Sequence, residues 1–508
     1  MADETITIAE AKTASLTGRL HVRVRAEYVN DDNVLDVLGA AKLPFGVNVG
    51  QIQYLWNYYR GTQPILQRVK EVRPEINNKI VENHAIEIVS FKVGYQLAEP
   101  IQYVLRNHDG TTGPLPQETN GQEAEDARSA HFAEINELNT LMFANDKASV
   151  DREIFEWLAI CGLGYRMVEV SDDLGVPFKQ YSLDPRSTFV IESAAYHHRP
   201  IAGVWVGLDG EGEQVWNVWT PERRIVVIGN KIISSEPHTY GDIPIIEYQL
   251  NSARMGAFEP ALPLLDAVNA VESNRLDGIE QTVQSLMKFV NCDINAETFE
   301  AMLRLGAVKV TSTEQGQRAD VDFIKNTLDQ SQTQVTKDDL YQAIVNICGM
   351  PNRNGTKGSS SDTGAAVLLR DGWSLAESHA KGYELEFKKA ERRFLRVVLE
   401  ICRQAREINI DLRLRDIELA FNRRNYENLL VKVQALTGML PQNYQIHPEL
   451  AWKLSGITND PEAAYLQSLA WTQAHPDTQT SEETSIEDPG PVAASPQIGD
   501  NAPTGASA

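Results

Sequence analysis

The sequence predicts an α+β chain that is mainly helical. Two observations carry that prediction. Between Gly164 and Tyr248 the runs YRMVEV, FVIES, GVWVGL, QVWNVW, RIVVIG and PIIEY alternate in polarity or are β-branched, with turn residues between them. Beyond Tyr248 the spacing changes. Leu265, Val268, Leu276, Ile279, Val283 and Leu286 recur with a helical period, and helical patterning then dominates.

Taken in order, residues 1–50 are weakly patterned. Val49–Tyr59 reads as a short aromatic helix ending at Gly61. Asn77–Val89 reads as a helix running into the strand-like FKVGYQL. A strand at Pro100–Leu105 and a helix at Ala127–Ala144 flank Asn107–Asp126, whose Gly, Pro and acidic residues suit an exposed loop. Asp151–Cys161 is another helix, and the β-rich module of about eighty residues follows.

Gly256–Phe289 then reads as one helix, about 50 Å long if unbroken. Pro260 and Pro263 fall near its start, where proline is best tolerated. A compact αβ insert, Asn291–Ile324, holds a helix at Ala296–Leu305 and strands at Ala307–Thr311 and Val321–Ile324. A second helix, Thr327–Cys348, leads into the Gly/Ser-rich loop Pro351–Ser360 and a very long helix, about Ser361–Asn409. A short strand at Ile417–Asn422 precedes helices at Tyr426–Leu440 and Pro448–Leu454. From Thr472 to Ala508 there is no Lys or Arg, and Pro, Ser, Thr, Gly and acids dominate, which predicts a disordered acidic tail. No internal repeat is present. Two helices with a small module at one tip and a mobile loop at the other end suit an elongated machine better than a compact enzyme.

The bulk numbers exclude several classes. The 508 residues are 42% hydrophobic and 23% charged, an ordinary soluble composition. The start, MADETITIAE, lacks a basic n-region and apolar stretch, so no signal peptide is expected. No apolar run reaches membrane length; Leu262–Val271 is broken by Asp266 and Asn269. The net charge of −23 argues against a sequence-specific DNA binder with a basic face, but not against a protein that guides DNA without gripping it. Cys161, Cys292, Cys348 and Cys402 form no CxxC pair and read as buried, reduced thiols.

Signs of catalysis are missing. No Gly-Lys dipeptide occurs, so there is no Walker A loop, and Gly355-Thr356-Lys357-Gly358 lacks the spacing and the preceding strand. His197 and His198 are adjacent rather than at metal-ligand spacing. There is no GxSxG. Asp184-Pro185-Arg186 reads as a turn. Asp338 and Asp339 point to different sides of a helix. No cofactor and no metal are called for. The basic cluster Lys388, Lys389, Arg392, Arg393 and Arg396 is interleaved with Glu384, Glu386 and Glu391 at helical pair spacing, as in Glu384 and Lys388, which predicts ion pairing within or between subunits, with direct phosphate contact as the alternative.

Several segments resemble the portal (head-to-tail connector) proteins of tailed, double-stranded DNA bacteriophages of the long-tailed siphophage type. They are Tyr58–Pro64 (YYRGTQP), Asn78–Val104, Cys161–Met167 (CGLGYRM), Gly241–Tyr248 (GDIPIIEY), Ser273–Asp293 and Met350–Trp373 (MPNRNGTKGSSSDTGAAVLLRDGW). They run in order from about residue 50 to about residue 405. The resemblance implies a portal fold. Residues 1–50 would be an N-terminal arm and 51–255 a wing, β-rich over 164–248. Residues 256–290 and 326–349 would be stem helices and 291–325 the clip. Residues 350–360 would be the channel (tunnel) loop, 361–393 a long wing helix, 394–471 a helical crown and 472–508 the tail.

The resemblance also implies a function. Portals assemble as homo-oligomeric rings of about twelve subunits, closed by a heterologous interface. The ring sits at one capsid vertex of the virion, and viral DNA passes through it during packaging and ejection. At −23 per chain, such a ring would carry a charge on the order of −280, a strong field in a narrow bore. A mostly acidic wall with a few positive points holds anionic DNA weakly. The channel loop supplies those points: Arg353 and Lys357, flanked by Asn352 and Asn354. Gly355 and Gly358 would be its hinge residues, together with Ser361 and Asp362 at the start of the next helix. The partners implied are terminase, a head-completion (adaptor) protein, scaffold and major capsid protein, with assembly in the host cytoplasm and no membrane. The competing reading, an ATP-driven packaging enzyme or nuclease, is disfavoured by the missing Walker A loop.

Overall fold

The computed structural model describes residues 18–106, 121–283 apart from 174, 287–290, 320–323, 330–351, 372–405, 410–421, 429–440, 448–455 and 461–475, with a few single positions besides. The chain forms two units, Met1–Asn428 and Leu429–Ala508.

The first unit contains two cores. The smaller is built on an antiparallel run of strands: β5 (Thr188–Ser193), β6 (Pro200–Leu208), β7 (Gln214–Trp219), β8 (Arg223–Ile228) and β9 (Lys231–Pro237). The strand β1 (Val22–Val24) joins it parallel to β5. Alternate residues face inward, so Phe189, Ile191, Val204, Trp216, Val218 and Ile225 form one apolar face. Helix α1 (Val34–Tyr59) lays Val34, Val37, Leu38, Ala41 and Phe45 against that face. Phe45 stacks on Phe189 with ring centres 4.2 Å apart. The expected aromatic helix is therefore the second half of a longer one. Gly39, Pro44 and Gly46 weaken its intrinsic propensity, and burial of the apolar stripe supplies what propensity does not.

The larger core gathers α2 (His84–Gln96), α4 (Lys147–Cys161), the sheet β10-β3-β4 and the long helix α7 (Trp373–Gln404). Here β3 is Leu163–Val170, β4 is Phe178–Leu183 and β10 is Ile245–Gln249, all antiparallel. The strand β2 (Gln102–Leu105) and the helix α3 (Gly121–Ala144) sit between α2 and α4 in sequence. The helix begins at Gly121, six positions inside the expected loop. FKVGYQ is helical, contrary to the strand reading, and Leu97 caps the helix. Ala85, Ile88, Val89, Lys92, Val93 and Gln96 continue one buried stripe through it, and that period decides the conformation. The strands β4 and β9 were not anticipated.

Beyond the β module, α5 spans Leu262–Val283, about 33 Å rather than 50 Å. Met287–Val290 is instead a strand, β11, paired antiparallel with β12 (Asp320–Phe323), which places Lys288 opposite Asp322. Cross-strand pairing satisfies backbone groups that the helix reading assigned within one element. The expected strand at Ala307–Thr311 and most of the helix at Ala296–Leu305 lie outside the described residues. Helix α6 (Gln330–Ile347) packs along α5. Helix α7 ends at Gln404, short of Asn409, where Ala405 turns extended. Strand β13 (Ile417–Ala420) pairs antiparallel with β2.

The second unit holds α8 (Leu429–Met439), α9 (Pro448–Ser455) and α10 (Pro461–Ala474), with α9 packed on both others. Helix α10, opened by a proline in its first turn, was not anticipated. It carries helical structure past Thr472. Residues 476–508, most of the expected tail, lie outside the described residues. Cys161, Cys348 and Cys402 are buried and free, as expected. Among the described residues no helix is long and apolar enough to cross a membrane.

Candidate nucleic-acid interface

Asn352, Arg353, Asn354 and Lys357, and the hinge positions Gly355, Gly358, Ser361 and Asp362, lie outside the described residues. The structure describes the two ends from which that segment springs. At the first, α6 closes with a Schellman turn: Met350 N–H donates to Val345 O and Gly349 N–H to Asn346 O. Gly349 takes φ +59°, and a Cβ there would lie 2.7 Å from the His379 ring. Both facts require glycine. The ammonium of Lys92 donates to Gly349 O at 2.9 Å. Lys92 is 5% exposed, its charge lies against the rings of Phe91 and Tyr383, and it has no carboxylate partner among the described residues. Burial pushes its pKa down to about 8.

At the other end, Gly372 is left-handed and opens α7. The Trp373 ring then packs 6.2 Å from Phe91 and 5.9 Å from Tyr95, centre to centre. Both ends of the 352–371 segment thus rest on one stretch of α2, Phe91–Tyr95. Tyr95 OH also donates to Glu377 at 2.9 Å, and Arg423 holds both Glu377 and Glu384. Glu384 is therefore not the partner of Lys388. Lys388 instead reaches Glu418 on β13 at 2.8 Å.

A second support runs along α5. Asp266, Asn269, Ser273 and Asp277 follow at helical spacing and share one face. Asp266 accepts from Tyr58 OH at 3.0 Å. Asn269 bonds Gln63 and accepts from Glu82 N–H at 2.8 Å. Ser273 Oγ accepts from Ile80 N–H at 3.0 Å. Asp277 accepts from Asn78 N–H at 2.8 Å and from Lys70 at 3.0 Å, and Arg68 lies 3.2 Å away. Asn269 and Ser273 are fully buried. Lys337 of α6 bridges Glu82 and Glu272, each at 2.9 Å, and so ties the helix pair to the same extended strap, residues 78–82. This polar ladder was missed in sequence. Its signal was a row of small polar residues at spacings of three and four on an otherwise amphipathic helix.

The third feature is a buried charge cluster under α7. Glu391 accepts from the hydroxyls of Tyr103 and Tyr248, both at 2.6 Å, and from Lys147 at 2.9 Å. Arg166 pairs with Asp151, bonds Gln180 at 3.0 Å and stacks on Phe394. Asp151 also holds Lys147. Two cations and two anions offset one another. Burial raises the Glu391 carboxyl, but Arg166, Lys147 and the two hydroxyls outweigh it and hold the pKa low. Glu391, expected to ion-pair with the basic cluster, is instead buried in the core against Arg166 and Lys147. The rest of that cluster pairs within the chain in part: Arg396 with Asp242 at 3.0 Å, and Lys389 with Glu386 at 3.8 Å.

None of this resembles a catalytic centre. Asp184 binds Arg186 across the expected turn. Asp338 and Asp339 are exposed. Among the described residues no cluster of His, Cys, Asp or Glu could hold a metal ion.

Residues 47–474 match the family described as phage portal protein, SPP1 Gp6-like. The chain belongs to the phage portal protein family. The matched span contains both ends of the 352–371 segment, the α5 ladder and the Glu391 cluster. The family's role is structural, at the portal of a phage capsid. No curated protein matches this portal chain. Among solved structures, one titled "Virion of native gene transfer agent (GTA) particle" is similar at 13% identity, with a TM-score of 0.45, over 80% of this chain and 93% of that one.

Proposed function

We propose that this portal chain forms a homo-oligomeric ring of about twelve copies that conducts double-stranded DNA into the capsid during packaging and out of it during ejection. Residues 51–255 serve as wing, α5 and α6 as stem, 291–325 as clip, 361–393 as the long wing helix and 394–471 as crown. Arg353 and Lys357 of the channel loop, with Asn352 and Asn354 beside them, touch DNA phosphates without reading sequence. The observation that carries the reading is the shared footing of the loop-bearing segment. Gly349, through Lys92, and Trp373 are both held by Phe91–Tyr95 of α2, next to the stem helix α6. A segment held at both ends by one rigid helix can present its cations at a set height on the wall.

The chain is a conduit without a chemical step of its own. Terminase supplies the energy for packaging, a head-completion (adaptor) protein later takes its place, and scaffold and major capsid protein contact the ring during assembly in the host cytoplasm. Mass measurement and negative-stain imaging of the purified chain test the ring: annular particles are expected, and a stable monomer under all assembly conditions contradicts it. Arg353→Ala with Lys357→Ala tests the loop. Rings should persist while packaging or retention of DNA falls, and parental packaged length and retention would remove the loop from the mechanism.

A further inference from the structure

A ring closed by heterologous contacts needs two different, complementary surfaces on each copy. The first unit carries such a pair at the two ends of β6. At its start is a cleft of about 400 Å³ between the β1–β5 edge and α7. Each carboxylate lining the cleft already has a partner. Glu192 holds Arg23 at 3.2 Å, Glu247 holds Arg254, and Glu386 accepts from Gln249 at 2.6 Å. The cations that remain most open are Arg393, which has no carboxylate partner among the described residues, and Lys389, which is 68% exposed and 3.8 Å from Glu386.

At the other end of β6 is the hairpin to β7, with sequence Leu208-Asp209-Gly210-Glu211-Gly212-Glu213. Asp209 accepts from the N–H groups of Glu211 at 2.9 Å and Glu213 at 2.8 Å, which sets the turn. Glu211 and Glu213 are exposed and have no cationic partner among the described residues, and Leu208 is 72% exposed at their base. The nine residues of β6 separate cleft and hairpin by about 30 Å. One copy cannot close this pair on itself through a rigid strand.

We propose that the acidic hairpin of one copy seats in the basic cleft of its neighbour, with Glu211 and Glu213 facing Arg393 and Lys389. The contact rests on the ring reading given above. It supplies register between subunits, because a shifted docking brings like charges together and they repel. Leu208 adds apolar area beside the charges.

Charge exchange tests it. Arg393→Glu and, separately, Lys389→Glu reverse the cleft; Glu211→Arg with Glu213→Arg reverses the hairpin. Ring formation is followed against protein concentration by mass photometry, with circular dichroism and thermal melting as controls for folding. Each reversed surface should raise the half-assembly concentration about tenfold or more, and combining a reversed cleft with the reversed hairpin should restore most of the loss. Variants of either surface that assemble like the parent overturn the proposal. So does a combination that restores nothing, or a cleft variant with intact rings that has lost only salt-sensitive DNA binding. A parent chain that never forms rings overturns the ring reading and this contact with it, whereas parental rings with indifferent variants remove this contact alone.

Discussion

Lys92 on α2 donates its ammonium to the backbone carbonyl of Gly349, the residue that closes α6. The charge is buried beside the rings of Phe91 and Tyr383, with no carboxylate partner among the described residues. A cation at a helix C-terminus answers the carbonyl end of the dipole. The same stretch of α2 carries the aromatic seat of Trp373, so α2 links the two ends of the 352–371 segment.

Lys92→Met keeps the volume and leaves Gly349 O without its donor. The expected cost is about 1–3 kcal/mol, read by urea denaturation. The pH dependence has a definite sign. The folded pKa of Lys92 lies near 8 and the unfolded value near 10.5, so the unfolded chain binds more protons in that window. The parent's stability should rise between pH 8 and 10.5 relative to the Met variant. Parallel pH profiles of the two proteins would contradict a charged, buried Lys92.

Gly349→Ala places a methyl group in a left-handed residue against the His379 ring. The backbone term alone should cost about 1–2 kcal/mol, and the contact adds to it. A melting temperature equal to the parent's would mean that α6 ends differently in solution.

Glu391→Gln removes one of two anions that answer Arg166 and Lys147. Breaking a buried pair on one side costs about 3–5 kcal/mol, which chemical denaturation measures. The folded pKa of Glu391 is held below its ordinary value of 4.5. Its contribution is therefore complete above pH 4.5 and lost as pH falls through the folded pKa. The parent should lose more stability on acidification below 4.5 than the Gln variant does.

Asp277→Ala strips the acceptor from Asn78 N–H, Lys70 and Arg68. Hydrogen exchange at the Asn78 and Ile80 amides should quicken by an order of magnitude or more, at about 1.4 kcal/mol per tenfold. The β6–β7 amides should keep their protection. Unchanged exchange at Asn78 would show that the strap does not depend on the ladder.

Where one period was clear, sequence and structure agree. Strands β3, β5–β8 and β10, helices α4 and α6, and strand β13 were legible from local pattern. Strands β4 and β9, helix α10 and three further elements were not. Phe91–Leu97 fits a strand locally, but burial on α4 and α7 selects the helix through Gln96. The first half of α1 has two glycines and a proline, and becomes a helix only against the β5–β8 face. Met287–Val290 continues a helical pattern, yet pairing with Asp320–Phe323 draws it into a sheet.

The sequence by itself determined the class of the chain, its acidic charge, the place of Arg353–Lys357 between helices α6 and α7, and the portal family. Those follow from composition, order and local period, which need no partner. Which polar residue meets which was decided only by tertiary structure. Glu384 and Lys388 stand at ideal helical spacing, yet each finds a better-placed partner on another strand or loop, because a surface pair one turn apart gains only about 0.3–0.5 kcal/mol. Tyr58–Pro64, Asn78–Val104 and Ser273–Asp293 were separate strings in sequence. Folding brings them together on one face of α5, where part-buried backbone N–H groups at Ile80 and Glu82 find acceptors in Ser273 and Asn269.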